Sequence, residues 1–403
     1  MKKSNNTTNY YKTLLLLFPT LLFSMFLTNC TKKSPSDDLA VGSGGLPLKS
    51  NALKTMAVAA VPSKSDALLA LQVYNDNYFH TYGTYGTSYK SYYYNNTSRT
   101  TRAGFWTRAE CIETQIDAYY VNPTNDNKNK AVYLYNGLRD EFGVLWDENN
   151  FNDDVIWGAL VCVRIFQITG DQAALTMAKN NFNMVWNRAW STDLGGGLWW
   201  TTANSSKNVC VNAPAVICAL KIFNATGDVT YRNKGKQIMD WMVSSRLYNA
   251  STGEVRGAMN AAGAITEGAL SYTQGTFIGA CNELRTRYSS PDYLAMGTKA
   301  MDYARTNLCK TVGGILKDEN GIADTKGMKS IFARWACVFV HDTGTEANYG
   351  SWLDLNAAQA WSIRNSNGLM WAVWTTRTSD SQTLNHWETN GGVSMMINLY
   401  RFR

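Results

Sequence analysis

The sequence predicts an all-α fold, an (α/α)6 barrel in which six helical hairpins form a toroid. Two observations predict it. The first is an internal repeat: residues 158–171 read GALVCVRIFQITGD and residues 215–228 read AVICALKIFNATGD, with a looser third copy, GACNELRTRYSSPD, at 279–292. The second is that each copy is followed by another helical run, at 171–188, 228–246 and 291–308, so the unit is a helical hairpin. In the Thr-Gly-Asp connection, Gly supplies the left-handed turn that ends one helix and Asp caps the next.

Taken in order, the chain supplies further hairpins on either side of these copies. Residues 105–121 and 127–141 form an earlier pair, split by Asn122-Pro123-Thr124-Asn125, and residues 327–341 and 349–365 form a later one. A first helix at 63–80 and a last at 389–401 complete six hairpins if they pair with each other; an open solenoid would stack the same hairpins without closing. Strand signals are few, apart from Gly-rich pieces such as Gly195-Gly196-Gly197-Leu198-Trp199-Trp200 and Gly313-Gly314-Ile315, which suit loops at one end of the toroid. A Tyr-, Gly-, Ser- and Thr-rich insertion at 82–101 reads either as a surface loop or as part of a glycan groove. In a closed toroid the loops entering the inner helices gather at one mouth, so a site belongs at inner-helix N-termini.

Ahead of the helices, Lys2 and Lys3 precede an apolar run, Leu14–Leu27, that is short for a membrane span and reads as a secretion signal. It ends at Leu27-Thr28-Asn29-Cys30, resembling the lipobox of bacterial lipoproteins, although Asn29 stands where a small residue is usual. Residues 1–30 are therefore expected to be a lipoprotein-type signal, with Cys30 the lipid attachment point to the membrane. Residues 31–62, rich in Ser, Gly, Ala and Lys, are expected to be a flexible tether, and 63–403 the functional domain. Such a chain is exported and anchored in the bacterial envelope.

Composition narrows the function. Aromatics make up 12% of the 403 residues, with 14 Trp and 22 Tyr, and charged residues only 17%, which gives a large core and many flat rings able to stack on sugars. The net charge of +7 is spread without a basic block, so nucleic acid is not an expected partner. Three scattered histidines and eight cysteines without CxxC spacing show no metal site and no disulfide framework.

The chemistry-bearing feature is Asp153-Asp154 at the start of the helix Asn152-Asp153-Asp154-Val155-Ile156-Trp157. Adjacent carboxylates there can simply cap the helix and favour its dipole. Alternatively they face one pocket. Glycosidases that retain configuration hold their two carboxyls about 5 to 5.5 Å apart, which neighbours at a helix entrance can achieve, and inverting enzymes about 6.5 to 9.5 Å. Two close carboxylates do not readily ionise together, so one becomes an acid near neutral pH.

Asp153 to Leu160, closing on Thr169-Gly170-Asp171, resembles the signature helix of glycoside hydrolase family 76, the α-1,6-mannanases. Four further stretches keep that family's order: Phe105-Trp106-Thr107-Arg108-Ala109-Glu110; Gly196-Gly197-Leu198-Trp199-Trp200 with Lys207-Asn208 and Asn212-Ala213-Pro214; Tyr272-Thr273-Gln274-Gly275; and Lys329-Ser330-Ile331-Phe332-Ala333-Arg334. The resemblance spans 63–403. Gly158, Met328 and Ser330 depart from the family pattern without removing a reactive group.

The resemblance implies a retaining hydrolase of α-1,6-mannosidic linkages, endo-acting on mannan or mannoprotein glycans. Asp153 would be the nucleophile and Asp154 the general acid/base, in a monomer needing no metal or organic cofactor. Trp157, Trp199, Trp200, Asn208, Tyr272 and Gln274 are the expected substrate-binding residues. Each also has a plainer reading, the Trp rings as core or loop packing and the polar groups as helix caps. Glu110 and Glu113 read as alternative acids or as buried structural carboxylates. Competing functions are a non-catalytic glycan-binding protein on the same fold, a transglycosylase, or a uronide hydrolase or lyase, the last disfavoured by the Asp pair.

Overall fold

The computed structural model describes residues 60–309, 314–319 and 321–403. The expected signal, Cys30 and all but the last three residues of the expected tether lie outside these. Twelve α-helices are described: α1 Lys64–Tyr78, α2 Phe105–Val121, α3 Asn125–Phe142, α4 Asn152–Thr169, α5 Gln172–Ala189, α6 Val209–Thr226, α7 Val229–Ser244, α8 Ser271–Arg285, α9 Tyr293–Asn307, α10 Lys329–Thr343, α11 Glu346–Ser362 and α12 His386–Leu399.

The even-numbered helices make a closed inner ring. α2 packs on α4, α4 on α6, α6 on α8, α8 on α10, α10 on α12, and α12 back on α2. The odd-numbered helices cover it: α3 lies on α2, α5 on α4, α7 on α6, α9 on α8, and α11 on α12 and α10. α1 packs on α12, so the first and last helices form the sixth hairpin and the toroid closes.

The two layers follow from their patterns. α5 buries Ala174, Leu175, Met177, Ala178, Asn181, Phe182, Val185 and Ala189, one stripe at helical spacing, as a covering helix must. α4 buries every residue from Val155 to Ile165, because neighbours wall it on both sides. α6 is long and apolar enough to cross a membrane by composition, and that apolarity is what an inner helix between α4 and α8 requires.

The repeated Thr-Gly-Asp acts as its chemistry dictates. Gly170 and Gly227 take the left-handed conformation, with φ of 75° and 73°, and Asp171 and Asp228 accept the N–H of Ala173 and Thr230 at 2.9 Å.

The inside of the ring holds ions. Arg334 of α10 donates to Glu110 at 2.6 Å and Asp117 at 2.7 Å, while Arg164 of α4 donates to Glu113 at 2.5 Å and Asp117 at 2.7 Å. All five side chains are buried, so each charge depends on its partners. The arginines hold Asp117 well below the usual carboxylate range despite its burial, whereas burial pushes Glu110 up to about 7. Glu110 and Glu113 are thus structural partners of the two arginines, the plainer of their two readings.

Two sheets were not expected. β1 (Phe79–Tyr85) and β2 (Ser88–Tyr93) form an antiparallel hairpin with Phe79 opposite Tyr93 and Tyr85 opposite Ser88. The 82–101 insertion therefore begins in a strand hairpin, and its remainder is tied in by bridges from Tyr94 to Arg102 and from Asn96 to Asn385. β2 lies against α3 where Gly137 leaves room, since a methyl there would run into the Ser91 carbonyl. The second sheet is antiparallel, with β3 (Ser206–Asn208) beside β4 (Ala258–Asn260) and β4 beside β5 (Ile265–Glu267). It delivers the chain directly into α6. The Gly-rich piece at 195–200 is no strand: it leaves a 3-10 turn at Asp193–Gly195 and meets Trp190 through a single bridge at Leu198.

Candidate active site

Asp153 and Asp154 occupy the first turn of α4, after the Trp146–Phe151 loop. Neither serves as the cap, because Phe151 holds that position without a side-chain bond. Asn152 ties the helix start to the Gly-rich loop. Its N–H donates to the Trp200 carbonyl at 2.8 Å, its Nδ2 donates to the Trp199 carbonyl at 2.9 Å, and its Oδ1 accepts Arg188 Nε at 2.6 Å. Arg188 also donates to the carbonyls of Asp147 at 3.0 Å and Asn149 at 2.7 Å, fixing the loop. Asn149 Nδ2 in turn donates to Asp154 Oδ2 at 3.1 Å.

The carboxyls differ in surroundings. Asp153 Oδ1 is buried and lacks a hydrogen-bond partner. Burial pushes its pKa up to about 6, with the Cys210 thiol and the Trp200 indole pulling it back. Trp200 Nε1 is itself buried without a partner in hydrogen-bond geometry. Burial and then the charge of Asp153 push Asp154 up to about 8, Asn149 opposing and Asp324 adding to the rise. Near neutral pH the favoured state is one carboxylate and one carboxylic acid, which is what acid/base chemistry at a pair requires.

Other expected residues distribute unevenly. Trp200 is at the pair, its ring 5.5 Å from that of Phe151. Tyr272, in the first turn of α8, interacts with Glu267 and shares its surroundings with Asp153 and Cys210. Asn208 precedes α6, with its Oδ1 buried and unpartnered.

Three of the expected residues are engaged within the protein. Trp157 packs in the core of the ring, the plainer of its two readings. Trp199 is equally covered and lies under Lys207, whose Nζ is 4.6 Å from the ring centre. Gln274 is fully buried and bonds to the main chain: its Oε1 accepts Val255 N–H at 2.6 Å, and its Nε2 donates to the carbonyls of Gly253 at 3.0 Å and Ala300 at 2.9 Å. It fastens α8 to its neighbours and is not free to bind substrate.

The motif around these residues is largely scaffold. Lys207 Nζ donates to the carbonyls of Asp193 at 2.6 Å and Gly196 at 2.5 Å, drawing the glycine loop in, and burial lowers its pKa to about 8. Gly275 lets α8 meet α10, since a methyl there would lie 2.6 Å from Phe332 Cα. Gly158 is small because Trp146 and Phe105 fill the space beside it, which accounts for that departure from the family pattern. The residues that sequence reasoning missed are Asn149, Asn152, Arg188, Cys210, Glu267 and Asp324. Asn149-Asn150 before a helix was a visible turn signal; the others carry none. Among the described residues, no group of three or more His, Cys, Asp or Glu side chains is placed to hold a metal.

Two part-buried carboxyl groups on neighbouring residues, one favoured as base and one as acid, at the N-terminal end of an inner helix of a closed α/α toroid, have the form of a glycoside hydrolase site. The chain belongs to glycosyl hydrolase family 76, whose sequence profile matches residues 64–399. The fold is shared with the α-1,6-mannanase of Salegentibacter sp. HEL1_6, at a TM-score of 0.74 and 23% identity over 84% of this chain and 99% of that one. An inactive variant of that enzyme, with two consecutive aspartates replaced by alanine, was solved with α-1,6-mannotetrose and superposes equally well. The family 76 α-mannanase of Bacteroides thetaiotaomicron gives a TM-score of 0.67 at 17% identity, covering 84% of this chain and 95% of that one. Among curated proteins, the mannan endo-1,6-alpha-mannosidase DFG5 of Saccharomyces cerevisiae is 28% identical over 158 residues, 34% of this chain and 34% of the relative. That match spans about a third of the relative's length.

Proposed function

We propose that the chain is a retaining, endo-acting α-1,6-mannanase in which Asp153 is the nucleophile and Asp154 the general acid/base. The observation that carries this reading is the placement of two adjacent carboxyls in the first turn of α4, both raised by burial and Asp154 raised further by the charge of Asp153. At pH 7 Asp153 is mainly ionised, free to attack the anomeric carbon. Asp154 is mainly protonated, able to give its proton to the departing glycosidic oxygen. Asp154, then ionised, takes a proton from the water that cleaves the mannosyl-enzyme. Adjacent residues in the first turn of one helix favour the short separation of retaining enzymes over the wider one that admits a water. Trp200, Tyr272 and Asn208 are the side chains we assign to substrate.

Activity needs Asp153 deprotonated and Asp154 protonated. The expected kcat/KM profile on linear α-1,6-mannan is therefore a bell, rising through about pH 6 and falling through about pH 8 as the pair titrates. Short mannooligosaccharides with retained anomeric configuration, released early as a mixture of lengths, support the reading. An inverted first product or release of mannose alone counts against retention or endo action respectively, and no product at all removes the proposal.

We also propose export and anchoring in a bacterial envelope through Cys30, on the strength of the apolar run ending at that residue. Labelled palmitate should enter the full-length chain in cells and be absent from Cys30→Ser. Equal labelling, or none in either, would leave the anchor without support.

A further inference from the structure

A groove runs along the outer wall between α3 and α5, with the tip of the β1–β2 hairpin at its edge. It encloses about 970 Å³, within the range of ligand-sized clefts. We propose that it is a secondary binding site for a neutral polysaccharide, a stretch of the same mannan chain that the toroid cleaves; the identity of the glycan rests on the function proposed above.

The chemistry of the lining selects the ligand. Along one face of α5, Thr176, Asn180, Asn183 and Asn187 follow each other at helical spacing. Eleven residues at 1.5 Å each make a strip of about 16 Å, the length of roughly three sugar units. Thr176, Asn180 and Asn187 are exposed, and none has a side-chain hydrogen bond within the protein, so their donors and acceptors are open to hydroxyl groups. Facing them are apolar side chains of unusual exposure: Tyr85 at 40%, Val144 at 58% and Leu145 at 47%. A row of amides beside exposed apolar surface complements a sugar, which offers hydroxyls at its edges and C–H groups on its faces.

The lining offers nothing to a cationic ligand, and its own guanidiniums are already held by neutral groups. No carboxylate lines the groove, and its two cations are engaged. Arg139 stacks on Tyr85, its guanidinium 3.7 Å from the ring centre, and donates to Asn136. Arg188 is spent on the loop that carries Asn149 and Asn152. Arg188 thereby belongs both to the groove wall and to the support of the Asp pair, which puts the upper end of the groove beside the mouth. A polymer could lie along the outer wall while one of its linkages is at the pair; a short oligosaccharide at the pair would not extend over this wall.

The test compares Asn180→Ala/Asn187→Ala and Thr176→Arg with the native full chain on two substrates, mannotriose and linear α-1,6-mannan. These exposed changes leave the core untouched. The expected result is an unchanged kcat/KM on the trisaccharide and a KM for the polymer raised about five- to tenfold, the effect of losing one or two hydrogen bonds per bound chain. Retardation of the Asp153→Asn protein in mannan-containing gels should weaken by a similar factor when the groove changes are added. Equal kinetics for all forms on both substrates would overturn the site, as would an equal loss on both, because a groove outside the toroid cannot act on a chain too short to reach it. A change in oligomeric state with mannan retention intact would assign the groove to a second copy of the chain and overturn the proposal. A native chain that cleaves neither substrate would instead bring down the function on which the choice of glycan rests.

Discussion

Replacing Asp153 with Asn is expected to lower kcat/KM on α-1,6-mannan by about 10⁴-fold or more, the scale of losing a nucleophile. The substitution should not lower the melting temperature at pH 7. A buried carboxyl whose pKa lies above its unfolded value binds more protons folded than unfolded, so its ionisation weakens the fold as pH rises from about 4 through its folded pKa of about 6. Removing the charge relieves that cost. Asp154→Ala should cause a comparable loss on mannan but a far smaller one on an aryl mannoside with an acidic phenol, which leaves without a proton. Asp153→Asn should lose both activities equally. The reverse pattern would exchange the two roles; full activity in both variants would remove the pair from the mechanism.

Arg334→Met is expected to cost about 3 to 5 kcal/mol of stability, the consequence of breaking a buried ion pair from one side. Arg334 pairs with Glu110 and Asp117 inside the ring, and without it Arg164, helped only by the more distant Arg401 at Asp117, would face three carboxyls. The loss should depend on pH. Without Arg334 the carboxyls are easier to protonate than to leave charged, so the gap between variant and native melting temperatures should be wide at pH 8 and narrow toward pH 5. A gap independent of pH, or none, would show that the network contributes packing rather than charge balance. Because α2, α4 and α10 all send a side chain into this network, its loss should also loosen the ring that sets the angle of α4 and hence the pair.

The helical hairpins were legible because they repeat. Two copies of Ile-Phe followed at fixed distance by Thr-Gly-Asp mark the end of one helix and the cap of the next by local chemistry alone, and local chemistry survives in one dimension. The Asp pair was legible for the same reason, as two consecutive carboxylates at a helix start. The β1–β2 hairpin was missed although Phe79 to Tyr94 is rich in Tyr and Thr, the residues that favour strands; its Gly and Ser content read as loop. Gln274 was misjudged because a buried amide that saturates backbone groups and one that binds a hydroxyl look alike until Val255, Gly253 and Ala300 are seen around it.

The hairpins, their order, the family and the position of the two carboxylates are each encoded within a few neighbouring residues. Tertiary structure decided the rest. It closed the ring by setting α1 against α12, put Trp157 and Trp199 in the core, and converted Glu110, Glu113 and Asp117 into partners of Arg164 and Arg334. It also buried Asp153 and Asp154 side by side, which raises the pKa of both. All of these depend on which distant side chains exclude water from a group or hold a charge beside it, and burial and long-range electrostatics have no local signature along the chain.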